Sequence, residues 1–279
     1  MKAYLDLVRL VLEQGTRKPS RTGIDTLSYF GAHYKVDLAH GFPLLTTKEV
    51  NWASMLHELL WYLSGEDHIR NLRQHTRIWD AWADDAGNLD TAYGRYWRRF
   101  PSPYRDATGQ WQVREVDQIQ YVIDTLRQEP SSRRLVVTAW EPGNAGSSKL
   151  PPCHYSFVFN VQDQRLSCHL TQRSGDVALG IPYNLACYAT LTQMLAQEVG
   201  LQVGCFSHTI VAAHIYTASA DGGLAEYDHV PGLREQLTRA PRALQTLVIA
   251  KKPLAELRFE DFQVTGYNPH PKLKFKVAV

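Results

Sequence analysis

The stretch Leu150-Pro151-Pro152-Cys153-His154 and the alternating run behind it constrain this chain more than any other feature. Two consecutive prolines lack backbone donors, and Pro152 pushes Pro151 away from the helical region, so residue 153 is approached by extended chain. Apolar and polar residues then alternate. This predicts a strand with Tyr155, Phe157, Phe159 and Val161 on one face and His154, Ser156 and Asn160 on the other. The Cys153 thiol sits at the mouth of that strand, a rigid place for a nucleophile, although a lone cysteine is more often a small buried hydrophobe. A second run, Leu166 to Arg173, follows a short turn and completes a hairpin that returns Gln172, Arg173 and Ser174 toward Cys153. A guanidinium beside a thiol favours the thiolate, the species that attacks.

The 279 residues carry 30 basic and 28 acidic side chains, a formal charge of +2, so no global field draws nucleic acid or an anionic membrane. Any anion must be held by local arginines. With 44% hydrophobic residues the chain can bury a substantial core. No apolar run approaches the roughly 18 residues of a membrane span, and Asp6 comes too early for a secretory leader. A cytoplasmic protein is expected. The cysteines at 153, 168, 187 and 205 include no C-x-x-C pair, which argues against zinc and against a disulfide framework. Without repeats or a linker, 1–279 reads as one α/β domain.

Along the chain, residues 1–14 show helical spacing and stop at Gly15, and Arg21 falls in a turn-forming loop. Thr26 to Leu38 reads as extended, with Gly31 as a bulge or turn. A helix is expected from Glu49 to Leu63, capped by a threonine, and Glu58 lies within it among Leu56, Leu59, Leu60 and Trp61. A carboxyl in apolar company is disfavoured in its charged form, which suits proton transfer near neutrality. Trp79, Trp82, Tyr93, Tyr96 and Trp97 can wall a flat heterocycle or pack as core. Residues 101–116 read as a loop or hairpin and Asp117 to Leu126 as a helix. Arg133 and Arg134 then enter a strand, Leu135 to Trp140, and two cations at one strand start suit a phosphate. Gly143 to Lys149 reads as a flexible loop.

Tyr183-Asn184 is read as the opening of a helix in which Asn184 either caps or offers an amide that can match the edge of a pyrimidine. Val203 to Tyr216 is extended, so His214 and Tyr216, two apart, share a face and can bond a sugar hydroxyl. Residues 217–241 read as a polar loop with a short helix. Two more strands follow, Leu244 to Ala250 and Phe259 to Val264. The apolar tail ending at Val279 is expected to dock as a flap.

In this order, Arg21-Thr22-Gly23, Phe42-Pro43-Leu44-Leu45-Thr46-Thr47-Lys48, His57-Glu58-Leu59-Leu60-Trp61, Ile78-Trp79-Asp80-Ala81-Trp82, Ser132-Arg133-Arg134, Pro151-Pro152-Cys153-His154, Gln172-Arg173-Ser174, Gly180-Ile181-Pro182-Tyr183-Asn184, His214-Ile215-Tyr216 and Arg258-Phe259-Glu260-Asp261-Phe262 carry a resemblance. The chain resembles the folate-dependent thymidylate synthases. That resemblance implies a mixed α/β fold, a homodimer with sheets packed back to back, dUMP as substrate and 5,10-methylenetetrahydrofolate as donor of carbon and hydride, with no metal. It makes Cys153 the nucleophile at C6 of the pyrimidine. Arg21, Arg173 and Ser174, with Gln172 beside them, would hold the phosphate together with Arg133 and Arg134 lent by the partner subunit. Asn184 would read the base, and His214 and Tyr216 the sugar. Lys48, Trp79, Trp82, Asp176, Gly180 and Val279 would line or close the folate site, and Glu58 and Tyr93 would organise proton transfers.

Three features depart from the resembled pattern. Val211-Ala212 stands where Gly-Asp is usual, Gly175 replaces a Cys or Asn, and residues 217–233 are longer and richer in glycine. The first and third border the expected sugar site. They keep open a pyrimidine nucleotide 5-hydroxymethylase, while Asn184 favours uracil over cytosine. From another class, a cysteine hydrolase would pair Cys153 with a histidine and Asn184. A nucleic-acid-binding module conflicts with the near-neutral charge.

Overall fold

The two alternating runs around the thiol form a hairpin, His154–Gln162 and Arg165–Asp176, closed by Asp163 and Gln164, which both take positive φ (50° and 57°). Such a two-residue turn matches the twist of paired strands. The structure, a computed structural model, describes residues 1–20, 22–146 and 148–278. Its helices are α1 (Lys2–Gln14), α2 (Trp52–Ser64), α3 (Tyr93–Arg98), α4 (Gln118–Gln128), α5 (Pro142–Ala145), α6 (Gly180–Glu198) and α7 (Val230–Thr238). The strands are β1 (Thr16–Lys18), β2 (Asp25–Asp37), β3 (Phe100–Arg105), β4 (Trp111–Val116), β5 (Val136–Thr138), β6 (His154–Gln162), β7 (Arg165–Asp176), β8 (Gln202–Thr217), β9 (Thr246–Ile249) and β10 (Phe262–Thr265).

Six strands form one mixed sheet in the order β1-β2-β8-β7-β6-β5. Only β7 and β8 run parallel, and a parallel neighbour demands a crossover, here the nineteen residues of α6. This helix buries side chains all round, from Ile181 to Ala196, and the Thr190 and Thr192 hydroxyls are satisfied by the carbonyls of Ala186 and Tyr188. A helix apolar on every side belongs in a core. The core joins α1, α2, α4 and α6 to the inner face of the sheet through Tyr4, Met55, Leu59, Ile123, Phe157, Phe159, Tyr188 and Phe206. The fold is the mixed α/β architecture expected from the sequence.

Several local expectations are corrected. Gly31 takes φ 78° and drops out of the pairing, and the burial alternation breaks there, yet Phe30 pairs with Ala212 and Ala32 with Ile210 in one register, so β2 runs on through this local irregularity and does not turn. α2 starts at Trp52 and is capped by Asn51, whose side chain accepts from Ser54 N at 3.1 Å. Thr46 and Thr47 are instead buried, their hydroxyls taken by Arg242 N and Gln236 Nε2. Residues 142–145 form a short helix within the expected loop, and 259–261 are 3-10 helix before β10, not strand.

The faces of β6 are also reassigned at one end. A register irregularity between His154 and Ser156 turns His154 inward, where its ring stacks on Tyr93 at 3.7 Å and Nδ1 meets the Tyr188 hydroxyl at 2.8 Å. Residues 101–116 are the hairpin β3–β4. The tail docks as expected: His270 N donates to Thr46 O, and Arg239 donates to Pro271 O.

Candidate active site

Cys153 precedes β6, is partly exposed and meets the end of β7 through Arg173. Tyr93, on α3, accepts the Cys153 N–H at 2.7 Å and so fixes the peptide that carries the thiol. Arg173 wraps the proline turn, Nε donating to Pro152 O at 2.9 Å and Nη2 to Pro151 O at 2.5 Å, while its own N–H donates to Cys153 O. The hairpin thus brings Arg173 beside the thiol as its register predicts. The electrostatic outcome differs. Burial raises the thiol pKa above its ordinary value, and the Arg173 charge opposes that rise without overcoming it. Removing the charge therefore moves the thiol further up: in Arg173→Gln the pH profile of Cys153 alkylation is expected to shift to higher pH. An unchanged profile would show that the guanidinium does not face the sulfur.

The carboxyl of Glu58 receives Trp79 Nε1–H at 2.6 Å. Burial raises its pKa to about 7, against the lowering effect of hydrogen bonds from Trp79 and Tyr62. The expectation from its apolar company is realised as a carboxyl poised at neutrality. The Trp79 ring lies 6.0 Å from Tyr93, which links this carboxyl to the residue under the thiol. Trp82 is partly buried against the same core.

Asp176 ends β7, and its Oδ1 accepts from the N–H groups of Ala178 and Leu179. Burial would raise its pKa, but His229, His214 and the Ala178 N–H together hold it below the usual carboxylate range. Lys48 is buried, donates to the Ala178 carbonyl and lies 4.7 Å from the Phe275 ring centroid. Its pKa falls to about 8, chiefly through burial, with Asp176 opposing.

Asn184 is not at the helix start. α6 begins at Gly180, so Asn184 stands one turn in, and its side chain reaches back over Gly180, where a Cβ would meet both Asn184 Oδ1 and Asp176 Cβ at 3.9 Å. The helix has no side-chain cap: Leu179 stands at its N-cap, and Asp176 closes the preceding turn onto Ala178 and Leu179. His214 and Tyr216 share a face of β8, ring centroids 5.2 Å apart, and His214 pairs in register with Asp176. Gln172 is buried, with Oε1 2.9 Å from His208 Nε2 and Nε2 donating to Ser174 O. Gly175 is required by packing, because a Cβ there would stand 2.6 Å from Ile181 Cδ1 and 3.1 Å from Ile210 Cγ2.

Arg133 and Arg134 do not join this cluster. Phe159 N donates to Leu135 O, which places both arginines at the Asn160 end of β6. At about 3.3 Å per residue that is roughly 20 Å from Cys153. Both are exposed. Arg21 and Val279 lie outside the described residues. Sequence reasoning missed His229, 1% exposed and 3.8 Å from Asp176 Oδ1, and His208, because a lone histidine in a loop or strand carries no signal of its own. A cavity of about 560 Å³ lined by His57, Trp61, His75, Arg98 and Phe259 includes none of these catalytic candidates.

A thiol and a guanidinium at the strand ends of a mixed sheet, joined through Tyr93 and Trp79 to a neutral-range carboxyl on α2, define the class, an α/β enzyme. Residues 2–279 match the thymidylate synthase family. The chain is also 48% identical over 326 aligned residues to a protein named thymidylate synthase from Haloferax volcanii, covering 98% of this chain and 95% of that one. It belongs to the thymidylate synthase family and is a methyltransferase. The hydrolase alternative is overturned. Its nearest histidine in sequence, His154, is committed to Tyr93 and Tyr188, and burial lowers its pKa to about 3.

Proposed function

We propose that the protein methylates dUMP to dTMP, with 5,10-methylenetetrahydrofolate as one-carbon and hydride donor, through a covalent adduct of Cys153 at C6 of the pyrimidine. The observation that carries this reading is the strand-mouth thiol held by Tyr93 and Arg173, within a family named for the reaction. Carbon 5 of uracil is a weak nucleophile. Addition of sulfur at C6 makes the ring an enolate and C5 electron-rich, so one hard step becomes two easier ones. Arg173, Ser174 and Arg21 hold the phosphate, so binding energy remote from the ring fixes it against the sulfur. The amide of Asn184 donates and accepts at once and reads the uracil edge. His214 and Tyr216 take the sugar hydroxyl.

The residues expected at the folate fit such a molecule: a buried ammonium on Lys48, a carboxylate on Asp176 held ionised, and indole walls at Trp79 and Trp82. Bound folate supplies the carbon unit and the hydride. The chain's own part is to hold protons and exclude water. Glu58, protonated about half the time near pH 7, passes protons within the site, and Tyr93 organises them beside Cys153. The aromatic walls and the docked tail keep water from the ring, which favours a methyl over a hydroxymethyl product.

The active form is a homodimer. Arg133 and Arg134 stand roughly 20 Å from their own thiol by the strand rise, so they complete the phosphate clamp of the partner subunit. The outer sheet face offers the contact surface, with Phe30 83% exposed and His33 stacked on His169. The chain 1–279 acts as one catalytic domain, in the cytoplasm.

The test is mass spectrometry of the product from dUMP, dCMP, UMP and CMP with methylenetetrahydrofolate. A methylated product from dUMP alone is expected. A hydroxymethyl product, or a preference for a cytosine nucleotide, would overturn the reading.

A further inference from the structure

Residues 217–233, one of the segments that depart from the resembled pattern, also hold the end of the C-terminal tail. Lys276 lies 3.3 Å from Glu226 Oε1 and 4.3 Å from the Tyr227 ring centroid, and its carbonyl accepts from His229 Nε2 at 2.9 Å. One residue earlier, the Phe275 ring is 5.0 Å from the His229 ring and 4.7 Å from the Lys48 ammonium. Gly232 leaves the space for it. A Cβ at that position would stand 2.7 Å from Phe275 Cε1.

His229 joins this contact to the site. Its backbone N–H is tied to Tyr216 O at 3.0 Å, and its ring packs on Tyr216 at 5.7 Å. The second ring nitrogen, Nδ1, is buried without a hydrogen-bond partner and faces Asp176 Oδ1 at 3.8 Å. One imidazole therefore stands between the tail carbonyl and the carboxylate that precedes α6. The weights of the contacts differ. The Lys276 and Glu226 side chains are both about half exposed (51% and 55%), so water screens their attraction and that pair holds little. The holding falls to the aromatic seat of Phe275 and to the hydrogen bond from a buried ring.

We propose that residues 224–232 form a clasp for the C-terminal tail, with His229 as the positioning residue that couples the seated tail to Asp176 on the folate side of the site. The segment lengthened after Tyr216 thus gains a task. It supplies Glu226, Tyr227, His229 and Gly232, which touch the tail at Phe275 and Lys276 alongside Lys48. The link to folate rests on the function proposed above, while the clasp itself is a property of the chain without ligand.

Two readouts keep those claims apart. In carboxypeptidase digestion of the full-length protein followed by intact mass, trimming of the wild type is expected to stall at Phe275. Gly232→Ala, which displaces the ring, Phe275→Ala, which removes it, and His229→Leu, which removes the donor, are each expected to let trimming pass position 275 at least tenfold faster. His229→Gln keeps an amide donor and is expected to restore most of the protection. In steady-state assays the same three variants should raise KM for methylenetetrahydrofolate severalfold, with KM for dUMP nearly unchanged. Equal trimming rates in wild type and Phe275→Ala would overturn the clasp even in a fully active enzyme. Faster trimming with unaltered folate KM would overturn the coupling through His229. The contrast in trimming, found in a protein that does not methylate dUMP, would uphold the clasp and remove only the substrate reading.

Discussion

Cys153→Ser is expected to lower turnover of dUMP by on the order of 10⁴- to 10⁶-fold, the scale of losing a covalent nucleophile. A serine hydroxyl is a far weaker nucleophile than a thiolate, and the adjacent imidazole, His154, is spent on Tyr188 and stacked on Tyr93. Nucleotide binding should survive. The Arg173 contacts to Pro151 O and Pro152 O use backbone carbonyls, so the clamp does not depend on the side chain at 153. Calorimetric titration with dUMP, beside an assay of product, separates the two. Turnover near that of the wild type would remove Cys153 from the chemistry.

The second large effect is at Glu58, where activity and stability should move in opposite directions. Replacement by glutamine removes the group that gives and takes protons and is expected to cost about 10²- to 10⁴-fold in kcat, with loss of the ionisation near 7 from the pH profile. For stability the sign follows from the raised pKa. The folded protein binds this proton more tightly than the unfolded chain, whose carboxyl has the ordinary value of 4.5, so the contribution is whole below 4.5 and is lost as pH rises through about 7. That loss amounts to about 3 kcal/mol at alkaline pH. Glu58→Gln carries no charge to bury, so its melting temperature relative to the wild type should rise between pH 5 and pH 9. A constant difference across that range would show that the carboxyl does not titrate out of place.

The parts of the site that were legible beforehand are those whose partners lie close in sequence or follow a strict period. Two prolines before Cys153 and a hairpin of known register are enough to bring Arg173 to the thiol. A period of two is enough to place His214 and Tyr216 together. Glu58 was legible because its neighbours in the helix are apolar and its pKa follows its company. Where the expectations failed, a distant group had won. Asn51 displaced the threonines as the α2 cap because Gln236 and Arg242 claim their hydroxyls. His154 left the polar face because Tyr93 and Tyr188 offered stacking and a hydrogen bond. The thiol sits above its ordinary pKa because desolvation outweighs one guanidinium.

The order of amino acids alone determined the elements, the hairpin beside the thiol and the chemical kinds of group available, since backbone sterics and side-chain periodicity act within a few residues. The tertiary structure decided which of those groups meet. It turned Asp176 onto the Ala178 and Leu179 N–H groups before α6, set Asn184 one turn into that helix, sent Arg133 and Arg134 to the far end of β6, and placed His229 between Asp176 and the tail. Contacts between residues dozens to hundreds of positions apart depend on how strands are ordered in a sheet, and no local pattern encodes that order.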